Sequence, residues 1–205
     1  MIILCTRGRI CRWVLASKNK WRLGTFLFLA TIAGVNAQGV HFPGPESEAK
    51  SPNHQYIIQN LDYEKMEPAH VLVLFDMRSG SKTKIHSYDR HVDILWSPRS
   101  DAFVINDYEG SDSARPILYP LPWNGKKTDL LDTLTVFLRG RHEENLVLKN
   151  DHVYFSVRRW INSHELLCQL EAYGGASPTG SGFKGRYVYM IGEGFRIYSS
   201  KAPRN

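Results

Sequence analysis

Cysteine is scarce in this 205-residue chain: three in all, at positions 5, 11 and 168. Two of them sit in the first dozen residues, so the body holds one thiol and cannot form an intrachain disulfide. Cys168 lies in the apolar run LLCQL, a setting that predicts a buried small hydrophobe rather than a nucleophile. Also missing is any apolar run of the ~18 residues that a membrane-spanning helix needs. There is no Cys pair or His-x-x-x-His spacing for zinc, no phosphate loop, no dinucleotide fingerprint and no Gly-x-Ser-x-Gly elbow.

Acidic residues are absent from residues 1–37, which carry six of the 26 basic residues: Arg7, Arg9, Arg12, Lys18, Lys20 and Arg22. The formal charge of +6 therefore belongs to this leader. The remainder is balanced, which points away from nucleic acid as a partner. The leader reads as a secretory signal: a basic stretch, the uncharged run Leu23 to Val35, then Val35-Asn36-Ala37 as a cleavage site. The basic part is long for a signal, which suggests a start near Val14 or Leu15. The expectation is export to the periplasm or beyond, cleavage near Ala37 and no transmembrane anchor in the mature form.

What is present is strand signal. After a Pro- and Gly-rich segment at 38–52 (QGVHFPGPESEAKSP) that reads as a flexible arm, ten short β-rich runs follow. They lie at 56–59, 71–75, 84–88, 92–96, 102–106, 117–121, 153–157, 166–170, 186–191 and 195–199. Separated by Pro, Gly, Asn, Asp and Ser, they predict one antiparallel all-β domain over 53–205. One segment has helical spacing instead. Leu130, Leu131, Leu134, Phe137 and Leu138 share a face, Thr128 or Asp129 can cap the start and Gly140 can end it. Trp96, Trp160, Tyr187 and Tyr189 are expected in the core.

The chain repeats itself. SPNHQYIIQNLDYEK at 51–65 and SPRSDAFVINDYEG at 97–110 share a Ser-Pro turn, an apolar strand, an Asn and Asp-Tyr-Glu, at an offset of 45 to 46. A third copy, WINSHELLCQLEAYGG at 160–175, places Trp160 on Trp96, Glu171 on Asp107 and Gly174 on Gly110. This period, with the hairpin VLVLFDMRSGSKTKI and its Asp76 to Gly80 turn, resembles blade repeats of β-propellers of the TolB-like or WD-repeat kind. The resemblance implies an antiparallel meander of about three propeller-like units, to which the helical spacing adds one short amphipathic helix. A β-sandwich or barrel built from the same hairpins is the alternative.

Two constellations could carry chemistry. After the second repeat, Asn106, Asp107, Glu109, Ser111 and Asp112 gather carboxylates and hydroxyls around a glycine. Asp107, Glu109 and Asp112 are the hard oxygen ligands that Ca²⁺ prefers, although the spacing is shorter than an EF-hand loop. Only this copy appends Gly-Ser-Asp-Ser, which marks it as the candidate site. The second constellation is YDRHVD at 88–93. In a strand Asp89, His91 and Asp93 share one face and Arg90 the other, so the histidine sits between carboxylates. The glycine-rich 175–185 segment reads as a long hairpin loop. The first functional expectation is a non-catalytic exported domain that binds a protein or cell-envelope component through loops at one end, with no cofactor except a possible Ca²⁺. The alternative is a metal-dependent hydrolase centred on 106–113 with His91.

Overall fold

The computed structural model describes residues 39–62, 69–174 and 182–198. The leader lies outside the described residues, as do Tyr63 to Lys65 of the first repeat and 175–181 of the glycine-rich loop.

Among the described residues, thirteen strands and two short helices make a mostly β structure of open sheets. Strands β2 (Glu48–Lys50), β3 (Tyr56–Asp62), β4 (His70–Asp76) and β5 (Lys82–Tyr88) form a four-stranded antiparallel meander. Strands β6 (His91–Trp96), β7 (Ala102–Tyr108), β8 (Ser113–Pro120) and β9 (Thr128–Asp129) form a second, whose free edge at β6 is joined by β1 (Val40–Phe42). Strands β10 (His152–Trp160), β11 (Glu165–Tyr173), β12 (Phe183–Met190) and β13 (Gly194–Ile197) form a third. A parallel bridge from Ser113 and Ala114 to Val153 and Tyr154 makes the second and third one continuous sheet. Each of the ten expected runs overlaps a strand.

The second meander is covered on both faces, which is why its strands are apolar at consecutive positions rather than alternate ones. Ile94, Trp96, Phe103, Ile105, Ile117 and Tyr119 pack against Ile58, Leu72, Leu74 and Ile85 of the first meander. The intervening Leu95, Ala102, Val104 and Leu118 pack the other way, against Phe155, Val157, Leu166, Cys168 and Leu170 of the third. Trp160 spans that second interface, its Nε1 donating to the Leu95 carbonyl at 3.1 Å. Helix α1 (Leu130–Arg139) joins the same core through Leu130, Leu134 and Leu138. Its start is fixed by Asp129, whose Oδ1 accepts from the backbone of Leu131 and Asp132 at 2.9 and 3.0 Å, a cap worth about 1 kcal/mol. A second helix, α2 (Asn145–Leu148), follows.

The two Ser-Pro turns are the same object. In each, the serine N–H donates to the carbonyl five residues on, at 2.9 Å in both. Its Oγ accepts from the N–H of that fifth residue, at 3.0 Å in the first turn and 3.3 Å in the second. The fourth position, His54 or Ser100, is left-handed with φ near 60°. The turns also touch, Asn53 N–H donating to Ser100 Oγ at 3.0 Å. The Asp76 to Gly80 turn closes as its sequence suggests: Asp76 Oδ1 accepts from Arg78 N–H at 2.8 Å and Gly80 supplies φ +73°.

One expectation is corrected. The 38–52 segment is not a free arm, because β1 and β2 lie in it and Phe42 and Ala49 are fully buried. Two strands of three residues, each with one buried side chain, give too little periodicity to stand out among prolines. Burying a phenylalanine of this kind contributes about 1.5–3 kcal/mol.

Candidate functional site

The antiparallel pairing of β6 with β7 sets His91 opposite Tyr108 and Val92 opposite Asp107. The two constellations singled out in the sequence are thus neighbours at one end of the strands. His91 and Asp93 share a face. The His91 ring stacks on Tyr108 at 4.3 Å between centroids, and His41 of β1 approaches His91 at 5.2 Å. Asp93 is the hub: Tyr108 Oη donates to its Oδ2 at 2.9 Å, and His41 Nδ1 lies 2.8 Å from its Oδ1. Burial, and then the nearby His41, hold the His91 pKa below its usual value. Burial and the Asp93 carboxylate push the Tyr108 phenol up to about 12. Asp89 and Arg90 stand exposed in the bend before the strand.

The acidic loop is used differently from what its sequence suggests. Asn106 and Asp107 are strand residues, 2% and 6% exposed, and face opposite interfaces. The Asn106 side-chain amide pairs with the Val157 backbone, donating to its carbonyl and accepting from its N–H, both at 2.9 Å. It stands in for a peptide group next to the bulge of β10, where Arg158 has no partner on β11. Asp107 points toward the first meander and meets His86 Nε2 at 2.7 Å. His86 reaches it because β5 bulges at Ile85, so Leu72 pairs with His86 while Val73 pairs with Lys84. Tyr119 Oη completes the chain at 3.2 Å from His86 Nδ1. Burial, with the Asp107 charge, raises the Tyr119 phenol.

Glu109, Ser111 and Asp112 are exposed. Ser111 Oγ donates to Asp112 Oδ1 at 3.1 Å, and that carboxylate lies 3.0 Å from His152 Nδ1. Asp107, Glu109 and Asp112 therefore do not converge, and among the described residues no group of three or more His, Cys, Asp or Glu side chains is placed to hold a metal ion. The expected Ca²⁺ ligand set is corrected on this point, because the interior claims Asp107 for His86. Cys168 is fully buried among leucines, and burial raises its thiol pKa well above the usual value.

Sequence reasoning missed a recurring pair. In the first meander His70 stacks on Tyr88 at 4.8 Å, in the second His91 on Tyr108, and in the third His152 on Tyr173 at 4.6 Å. Each is a directly opposed cross-strand pair where one strand starts and its neighbour ends. Each has a carboxylate beside it: Asp62 2.7 Å from His70 Nδ1, Asp93 under Tyr108, and Asp112 near His152. Because the three pairs fall at different places relative to the Ser-Pro repeat, alignment of the copies does not bring them into register.

Two concavities flank this end. A cavity of about 200 Å³ between the second and third meanders is lined by Tyr108, Tyr154, Ser156, Arg158, Gln169 and Glu171. A larger one, about 730 Å³, lies between the α1–α2 connection and β12, with Leu146, Phe183, Tyr187 and Ile197 in its wall. None of the site residues expected from sequence lines the larger cavity.

No family model matches the chain, and no curated protein matches its sequence. Four chains of solved structures match. One is the crystal structure of TolB from Acinetobacter baumannii, similar at 13% identity with a TM-score of 0.39. The match covers 75% of this chain, and the chain spans about a third, 32%, of that one. A likeness at that score carries no argument, and the architecture stands on the strand pairings alone. Among the described residues no helix is long and apolar enough to cross a membrane.

Proposed function

We propose that the chain is exported, loses its leader near Ala37, and works in the periplasm or outside the cell as a binding domain without catalytic activity. Its binding face is the end of the strands that carries the three His–Tyr stacks, and its partner is a protein or another cell-envelope component. In this reading the three meanders are propeller-like units in an open array, each contributing an equivalent edge to one face. The observation that carries it is the recurrence of stacked histidine and tyrosine with a carboxylate on all three. Rings held by cross-strand stacking present contact area at little entropic cost, which is what recognition surfaces use; in the first meander His70 is the presented ring, because Tyr88 is buried. Export is supported by the basic leader, its apolar run and the small residues before Gln38.

The test is association of the purified 38–205 domain with a washed envelope fraction. Tyr108→Ala and Tyr173→Ala are expected to weaken it about tenfold, whereas Arg99→Ala, in the Ser-Pro turn at the opposite end, leaves it unchanged. Equal loss in all three variants, or no association by the parent, would sink the proposal.

A further inference from the structure

We propose that the cavity between the second and third meanders is a subsite for one sugar ring. This rests on the reading that this end of the molecule binds an envelope component, and it names the chemistry of what is bound. At about 200 Å³ the space is smaller than the roughly 300–1,000 Å³ of drug-sized ligand sites, so it suits one ring rather than a peptide segment.

The walls are aromatic and held in place. Tyr108 is fixed by its stack on His91 and its bond to Asp93. Tyr154 is fixed by Tyr173, 5.9 Å away, and by donating its hydroxyl to the Ser111 carbonyl. The floor is polar, and the strand pairing explains why it is ordered. Tyr154 faces Glu171 and Ser156 faces Gln169 across β10 and β11, so alternate residues of both strands present one face. Glu171 supplies an acceptor: its bond to Lys184 keeps the carboxyl below the usual range, so it is ionised at neutral pH. Arg158 supplies donors. The bulge leaves it without a cross-strand partner, and it makes no hydrogen bond or ion pair among the described residues.

Two tyrosine rings around interleaved donors and acceptors match a pyranose ring, with C–H groups to pack on them and hydroxyls that both donate and accept. A bare anion would meet the Glu171 carboxylate beside Arg158. A wholly apolar ligand would desolvate both charges without replacing their water.

Saturation-transfer NMR on the 38–205 domain with glucose, N-acetylglucosamine and glucuronate, each at millimolar concentration, tests this, with inorganic phosphate as the competing probe. At least one sugar is expected to show saturation at its ring protons, with binding weakened about tenfold in Arg158→Ala and Gln169→Ala while both variants keep the parent melting temperature. Tyr108→Phe, which keeps the ring, is expected to retain binding. If no sugar binds while association with envelope fractions persists, the sugar subsite is wrong and the binding face stands. If neither occurs, both fall. Displacement of the sugar by equimolar phosphate would also overturn the subsite, leaving an anion site at Arg158.

Discussion

Asp62 and Asp107 occupy the same place in two copies of one sequence repeat, and each sits 2.7 Å from a histidine. Their surroundings differ. The Asp62 side chain is 58% exposed and meets His70, its direct neighbour across β3 and β4. The Asp107 side chain is 8% exposed and meets His86 across the interface between two meanders. The first meander packs through one face and the second through two, so the same motif ends as a surface pair in one and as a tie between layers in the other. Resemblance between repeat copies therefore predicts local shape well and energetic weight poorly.

The sharpest way to break this comparison is to remove the histidines. His86→Leu leaves the Asp107 carboxylate buried without its partner and is expected to cost about 3–5 kcal/mol, read by urea unfolding of the 38–205 domain. Next in size is Asn106→Ala, which strands the Val157 N–H and carbonyl at the other interface and should cost about 2–3 kcal/mol. A loss below half a kcal/mol would show that those groups find other partners.

His91 gives a smaller effect with a definite sign. Its folded pKa lies below the usual histidine value of about 6.5, so the unfolded chain takes up the proton more readily. Its stabilising contribution is complete above pH 6.5 and is lost as the pH falls through the folded pKa. Melting temperature should therefore decline from pH 7 toward 5, and His91→Phe, which keeps a ring against Tyr108, should lessen the slope. Smallest of all is Asp62→Ala. This exposed, solvent-screened pair is worth about 0.5 kcal/mol or less, and an effect comparable with His86→Leu would erase the distinction between the two copies.

Much of the architecture could be read from residue patterns because it is made of hairpins. Runs such as AFVIN and DILW declare themselves through apolar content, and the Ser-Pro turns through their repetition. The capped helix was legible too, from Asp129 and the leucines at 130, 134 and 138. Strands β1, β2 and β9 were not, since two or three residues carry no period and their pairing partners are remote. The candidate site was legible only as a neighbourhood. Polar residues ending an apolar run look like a loop, yet β7 runs on past Asn106, the last residue of the expected run, through Asp107, because each of the two has a buried partner on a different meander. Those partners are invisible in sequence: the bulge that turns His86 inward adds one residue to β5 without altering its composition. The His–Tyr stacks were hidden for a related reason, as each joins residues 17 to 21 positions apart that only strand register sets side by side.

Strand β1 has a consequence for how the chain comes to be made. It is the first described element to leave the ribosome, yet its partner β6 lies about fifty residues later, with Val40 opposite Ile94 and Phe42 opposite Val92. Until β6 has been synthesised β1 has no strand to pair with, although Phe42 shares its core with Ile58, Leu72 and Leu74 of the first meander, and until β1 docks the outer rail of β6 is an open template for another chain. The first of the described strands to be made is thus the one that waits longest for its partner, and it closes the edge behind which the central layer is protected.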